Sequence, residues 1–388
     1  MGGSHALVIG ASGVIGWAVV DQLLRGYPTP GTFAQVSALV NRPLSLEDAF
    51  WPRSEGESGV ELELTSGPDL LGTEAEIERV LREKVGGVES VREVFYFEVR
   101  NDHIEEVKVN VGMLRRLVRS IARLSPTFRA EGFLVYPGGT RGYGIYRPDG
   151  VFTAPLREEM AECLPEDYAR TVAYPHYRAI LTAESTHQGW SWCELCPDVV
   201  VGFTPNGSGF SLGGHWAVYL YAYALVHGKG AEVPFPGTLA GYDAQYTETS
   251  TAVLARVGIH AALHASTFRE RIFNVADSGV PGRMRERWPE IAAWFGLRGV
   301  TPREGASAED VKPSEFVKAR EELLREKGAK GVQIWNAGQL DSYGYWLTFD
   351  RQLSLERLRE AGFEEERPPR EGWEEAFEMF RRAGMIGK

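Results

Sequence analysis

Apolar residues follow two rhythms along this chain. Short continuous runs, at residues 5–9, 36–40, 60–64, 94–97 and 133–136, alternate with longer stretches in which apolar positions recur every three or four residues. A run such as Ala6-Leu7-Val8-Ile9 is what a strand covered on both faces requires, because successive side chains project into two different cores. The longer stretches read as amphipathic helices. Trp17, Val20, Leu23 and Leu24 share one face until Arg25-Gly26 closes the helix, with Pro28 and Pro30 beyond it. Residues 74–84 and 105–123 carry similar patterns, and Arg115, Arg116, Arg119 and Arg123 space as a solvated helix face. Strand and helix in alternation predict a doubly wound α/β domain with a parallel sheet.

Past this region, residues 142–167 are rich in Pro, Gly and acidic side chains and read as a long loop before a helix over 174–187. A strand over 192–196, a loop at Pro205-Asn206-Gly207 and a helix over 216–226 follow, and Arg271-Ile272-Phe273-Asn274-Val275 reads as a late strand. The expected division is a cofactor-binding core over 1–200, joined by the strand near 271–277, and a smaller, mainly helical C-terminal substrate lobe over most of 201–388.

Composition narrows the class. A net charge of -11 argues against a nucleic-acid partner, since backbone recognition needs a basic face. No apolar stretch reaches the roughly 20 residues of a membrane span. Three cysteines are too few for a secreted disulfide framework, and the first strand starts too close to Met1 to leave room for a signal peptide, so the cytoplasm is the expected location. Cys193 and Cys196 have CxxC spacing, but on a strand they point to opposite faces, which argues against a redox pair. His260 and His264 lie four apart on a helix without an HExxH pattern or an obvious third ligand, so no metal is expected.

The most specific local signal is Gly10-Ala11-Ser12-Gly13-Val14-Ile15-Gly16, a G-x-x-G-x-x-G loop between the first strand and the first helix. Its glycines permit a tight turn, a close backbone approach to a pyrophosphate and close helix–strand packing, while the helix N-terminus offers free N–H groups. The loop is expected to be the phosphate loop of a Rossmann fold, the alternative being a glycine-rich turn without a ligand. Where an NAD enzyme usually carries an acidic residue after the second strand, this chain has Asn41-Arg42. A guanidinium suits a 2′-phosphate, so NADP(H) is the expected cofactor, the alternative being a surface arginine in the turn before Pro43. Asp69, followed by Leu70, either hydrogen-bonds the adenine amino group or caps a turn. Gly138-Gly139-Thr140-Arg141-Gly142-Tyr143-Gly144 and Tyr174-Pro175-His176-Tyr177-Arg178 lie at strand and helix ends that border the ligand crevice. Tyr143, Tyr146, Phe203 and Trp346, with Phe152, Phe210 and Tyr219, are candidates to line an apolar substrate pocket.

These motifs, with Leu39-Val40-Asn41-Arg42-Pro43, Cys196-Pro197-Asp198-Val199-Val200-Val201-Gly202-Phe203, Thr204-Pro205-Asn206-Gly207-Ser208, Pro234-Phe235-Pro236-Gly237 and Phe273-Asn274-Val275, resemble the progesterone 5β-reductase and iridoid synthase-like (PRISE) group of extended short-chain dehydrogenases, and its fungal members in particular. The resemblance covers nearly the whole chain. It implies NADPH-dependent reduction of the C=C bond of an α,β-unsaturated carbonyl, an apolar small molecule of secondary metabolism, by means of a tyrosine and a lysine. The tyrosine falls on Tyr174, with Tyr177 as the other register, and would stabilise the enolate oxygen. The lysine falls on Arg141, which keeps a positive charge near the phenol but does not readily give up a proton. A second departure is Glu98, which either serves as a proton donor or acceptor beside the cofactor or pairs with Arg100 or Arg141. Two other functions stay open: a non-redox isomerase or cyclase using Tyr174, Arg141 or Glu98, and a cofactor-binding regulatory protein without turnover. A homodimer is an open arrangement.

Overall fold

The computed structural model describes residues 3–52, 58–99, 105–307, 312–331 and 340–387. Its centre is a seven-stranded sheet, all parallel. The strands in chain order are β1 (Ser4–Ile9), β2 (Phe33–Val40), β3 (Glu61–Ser66), β4 (Val91–Tyr96), β5 (Phe133–Pro137), β6 (Ser191–Pro197), β7 (Val199–Val201), β8 (Glu232–Pro234), β9 (Glu248–Ser250), β10 (Arg271–Val275) and β11 (Arg298–Val300). In space the large sheet runs β10-β6-β5-β4-β1-β2-β3, while β7 pairs with β9 and β8 with β11 in two small ribbons. The order reverses between β1 and β4, and the crevice at such a switch point is where ligands of doubly wound sheets bind.

The continuous apolar run of β1 is explained by this placement. Ala6 and Val8 enter the core that includes Trp17, Val20 and Leu23 of the helix Val14–Leu24, whereas Leu7 and Ile9 enter the opposite core with Met113, Leu117 and Ile121 of the helix Glu106–Leu124. Each fully buried aliphatic side chain contributes about 1.5–3 kcal/mol. On the outer side of Glu106–Leu124 the expected solvated arginines act as ties. Arg119 pairs with Glu184 at 2.7 Å, Arg123 with Glu74 at 2.6 Å, and Arg116 donates to the Leu70 carbonyl.

Several boundaries differ from expectation. β3 covers Glu61–Ser66 rather than 60–64, because its register is set by pairing with β2 (Gln35 to Glu61 through Val40 to Ser66) and not by apolar content. The expected loop over 142–167 holds a 3-10 turn at Thr140–Tyr143 and helices at Glu158–Glu162 and Glu166–Ala169. Beyond residue 200, the helix Thr251–Leu263 returns together with β10 and packs on the helix Val14–Leu24, so it covers the large sheet. The remaining helices, among them Leu212–His227, Met284–Trp294 and Pro369–Arg382, join that same core through Phe203, Trp216, Trp373 and Phe380. Among the described residues no helix is long and apolar enough to cross a membrane.

Candidate active site

The glycine loop is held by its own backbone. Gly10, at φ +80°, and Ala11 both donate to the Leu39 carbonyl, and Gly13 donates to Gly10. A Cβ on Gly16 would sit 2.2 Å from the Gly10 carbonyl oxygen, so glycine there is a condition of packing the helix onto the loop. Gly13 caps the helix without a side-chain hydrogen bond, which leaves the first-turn N–H groups of Val14, Ile15 and Gly16 available for an anion. Ser12 is anchored through its carbonyl by the Thr204 hydroxyl at 3.0 Å.

Next to this loop, a shallow surface pocket of about 20 Å³ is bordered by Gly10, Asn41, Asp69, Leu70 and Glu98. Asp69 accepts the Leu71 N–H at 3.0 Å, so its carboxylate caps a turn. Arg42 is exposed, and its guanidinium donates to the Asn206 and Gly207 carbonyls at 2.9 and 3.0 Å, reaching across to the segment that follows β7. Loop and helix terminus together suit the pyrophosphate of a dinucleotide, and Asn41 and Asp69 border the pocket beside them.

A second, larger cleft of about 390 Å³ starts at Gly13, Val14 and Ile15 and runs past Glu98, Glu106 and residues 137–141 to Tyr174, Asp198 and Tyr343. Tyr174 opens the helix Ala173–Ser185, and its hydroxyl lies 3.6 Å from where a Gly139 Cβ would stand, its ring 3.3 Å from a Gly142 Cβ. Glycine at 142 thus makes room for the phenol ring. Burial raises the Tyr174 pKa above its ordinary value, and the nearby charge of Arg141 pulls the other way without winning. Arg141 lies on the 3-10 turn, with Nη1 3.0 Å from Glu106 Oε1 and its guanidinium over the Tyr146 ring at 5.0 Å. Burial works against its charge, but Tyr174, Glu106 and Tyr146 hold it protonated.

Glu98 borders both pockets and accepts a long hydrogen bond from Asn41 Nδ2 at 3.4 Å. The carboxylate paired with Arg141 is Glu106, and Arg100 lies outside the described residues. Tyr177, the other register for the tyrosine, is buried edge-on against Tyr136 at 5.6 Å and touches the cleft wall.

Of the expected pocket aromatics, Tyr146, Phe210 and Trp346 border the cleft and are exposed at its mouth together with Val99. Tyr143 and Phe203 do not border it. Tyr143 is turned away from Arg141 into the core, where its hydroxyl donates to Asn274 Oδ1 at 2.6 Å. Phe203 is buried among Trp17, Phe50 and Phe380 and joins the two halves of the chain. Tyr219 packs on Phe316, and Phe152 packs against the cluster around Tyr143. Cys193 and Cys196 are free thiols in different core clusters, and His260 stacks on His264 with ring centroids 4.0 Å apart.

Two polar networks under the site went unread in the sequence. Glu194, fully buried in β6, accepts from Tyr136 at 2.7 Å and Arg178 at 2.8 Å, and Arg178 lies one turn beyond Tyr174, so the pair pins the tyrosine's helix to the sheet. Asp198 accepts from Thr140 at 3.0 Å and pairs with Arg351 at 3.1 Å. A charged Glu194 within the apolar run of β6 was the available signal for the first. The second joins residues more than 150 positions apart, and no local pattern announces it.

A match to the PRISE-like Rossmann-fold domain runs over residues 6–387. Short chain dehydrogenase sirS of Leptosphaeria maculans is 32% identical over 98% of this chain and 97% of its own length. Short chain dehydrogenase ausT of Aspergillus calidoustus is 31% identical over 98% of this chain and 94% of its own. Among solved structures, UDP-glucose 4-epimerase of Thermotoga maritima aligns with a TM-score of 0.60 at 14% identity, covering 97% of this chain and 99% of that one. The GDP-D-glycero-L-gluco-heptose synthase of Campylobacter jejuni aligns at 0.59 and 12% identity, with 98% of each chain covered. At such identities the solved structures speak for the fold alone. With the family match spanning almost all of its length and the parallel sheet and glycine loop in place, the chain belongs to the PRISE-like Rossmann-fold family and is an enzyme of the short-chain dehydrogenase type.

Proposed function

We propose that this protein is an NADPH-dependent reductase of α,β-unsaturated carbonyl compounds, apolar small molecules of secondary metabolism. The observation that carries the reading is the sharing of one cleft by the free N-terminus of the helix Val14–Leu24, the Tyr174 phenol and the Arg141 guanidinium. Bound there, NADPH would supply a hydride to the β-carbon of the substrate. Tyr174 then donates a hydrogen bond to the carbonyl oxygen as it takes on enolate charge, and its raised pKa keeps the phenol neutral for that purpose. Arg141 adds a fixed positive charge, and Glu106 restrains where that charge sits. The cleft is open at the aromatic rim, so solvent can deliver the proton that completes reduction at the α-carbon. Arg42 favours the 2′-phosphate over a free ribose hydroxyl. The Campylobacter jejuni synthase, similar in fold, was obtained in the presence of NADPH.

A second reading is non-redox isomerisation or cyclisation in the same cleft. It is favoured by the replacement of a proton-relaying lysine with an arginine already engaged by Glu106. Following NADPH absorbance with a panel of cyclic and acyclic enones, with product analysis in the presence and absence of cofactor, separates the two. Product formed without NADPH consumption overturns the reductase reading.

A further inference from the structure

The far wall of the cleft carries polar groups that neither the glycine loop nor the Tyr174 and Arg141 pair uses. Arg351 is 2% exposed, and its Nε lies 3.1 Å from Asp198 Oδ2. The other side of the guanidinium, through Nη2, donates to the Tyr343 hydroxyl at 2.9 Å. Asp198 is held in turn by the hydroxyl of Thr140, the neighbour of Arg141. Asp198 and Tyr343 both border the cleft, and Arg351 stands behind them.

A guanidinium has donors and no acceptor, so in its bond with Arg351 the Tyr343 oxygen accepts. The phenol's single proton must therefore be directed elsewhere, and none of the described residues receives it. The ring cannot swing freely to find a partner. It is packed edge-on against Trp216 at 5.5 Å, with the Arg351 guanidinium 5.5 Å from its face. A phenol oxygen that already accepts from a buried cation is polarised into a stronger donor.

We propose that the Tyr343 hydroxyl is a second hydrogen-bond donor of the cleft, and that it takes an acceptor oxygen (carbonyl, ether or hydroxyl) that the substrate carries apart from its reacting carbonyl. The substrate class is thereby narrowed to apolar conjugated carbonyls with a second oxygen. The apolar body would lie along Tyr146, Phe210 and Trp346, and the two oxygens would be read by Tyr174 at one end and Tyr343 at the other. This rests on the reductase reading for the chemistry at Tyr174, but the binding it describes does not need turnover.

The test uses a bicyclic enedione and its deoxy counterpart, which lacks the carbonyl remote from the enone. Binding is read from quenching of the protein's tryptophan fluorescence with NADP+ present, so that no reduction occurs, and turnover is read separately with NADPH. The wild-type protein should bind the enedione about five- to tenfold more tightly, the worth of one hydrogen bond. In Tyr343→Phe, which keeps the ring against Trp216, that preference should vanish, the enedione and the deoxy enone binding equally well to the same variant. A thermal melt checks that the variant is folded. No preference in the wild-type protein, which requires no variant, or a preference that survives in Tyr343→Phe, overturns the proposal. If binding follows this pattern while NADPH is not consumed, the subsite stands and the reductase reading falls.

Discussion

Arg141 Nη1 lies 3.0 Å from Glu106 Oε1, so the cation beside the Tyr174 phenol is shared with a carboxylate on the helix Glu106–Leu124. That sharing separates two properties which a lysine combines. The positive charge near Tyr174 is retained and fixed in direction, while proton transfer through the cation is closed. Glu106 therefore belongs to the site, although its residue type and position gave no sign of it in the sequence.

Replacing Arg141 by lysine should raise NADPH-dependent enone turnover by about tenfold, a modest part of what a positioned acid–base group can contribute. Steady-state kinetics of Arg141→Lys against the wild-type protein decide this. An unchanged or lower kcat would mean that the fixed charge, and not proton relay, limits the reaction.

On the proposed mechanism, Tyr174→Phe removes the donor to the enolate oxygen and should lower kcat by about 10²-fold. NADPH affinity, measured by fluorescence titration, should change far less. Because burial raises the Tyr174 pKa, the phenol remains the protonated, donating form well above its ordinary range, near 10. Turnover by the wild-type protein should accordingly show no basic limb from this group between about pH 6 and 9. A kcat that falls across that interval and becomes flat in Tyr174→Phe would assign the titration to the phenol and contradict its placement.

On the proposed reading, in which Arg42 takes the 2′-phosphate, Arg42→Ala should weaken NADPH by about tenfold and leave NADH nearly unaffected, since a charge-assisted pair would be lost. The same substitution releases the Asn206 and Gly207 carbonyls. Isothermal titration with the two dinucleotides separates these effects, because loosening of that segment alone would weaken both equally.

Asp277 is buried and accepts from the Ser250 N–H and hydroxyl at 2.7 Å each; burial, only partly offset by these bonds, pushes its pKa up to about 7. From about pH 4, where an unfolded aspartate ionises, up to about pH 7 the folded chain retains a proton that the unfolded chain has released. This group's contribution to stability is therefore fully present below about pH 4 and is lost as the pH rises through 7. Asp277→Asn, which mimics the protonated form, should melt close to wild type near pH 4 and above it by a few degrees, on the order of 1 kcal/mol or more, at pH 8. A variant that melts lower at both pH values would show that the carboxylate is needed as an anion.

The local features of the fold were legible in the chain because each is a short-range consequence of residue type. The run ending at Ile9, the glycines at 10, 13 and 16 and the helical spacing after Trp17 force a strand, a phosphate turn and a helix in that order, and their repetition yields the parallel sheet. Tyr174 at a helix start and Arg141 after β5 could be singled out by the family pattern, and they do face one cleft. Tyr143 and Phe203 could not be assigned in this way. An aromatic beside a glycine turn has the same sequence appearance whether it points to the cleft or to the core, and here the Asn274 amide and the Trp17, Phe50 and Phe380 rings drew the two inward.

By itself the sequence determined the parallel architecture, the phosphate loop and the identity of the groups able to do chemistry, since these depend on residue type and spacing within a few turns of chain. The tertiary structure alone decided which charges meet: Arg141 with Glu106, Glu194 with Arg178, Arg351 with Asp198. Ion pairs in a folded core are chosen by which helix and strand ends converge, and burial makes unpaired alternatives costly. That convergence depends on the packing of the whole chain, which is why the tuning of Arg141 and the second donor at Tyr343 became visible only once the elements were assembled.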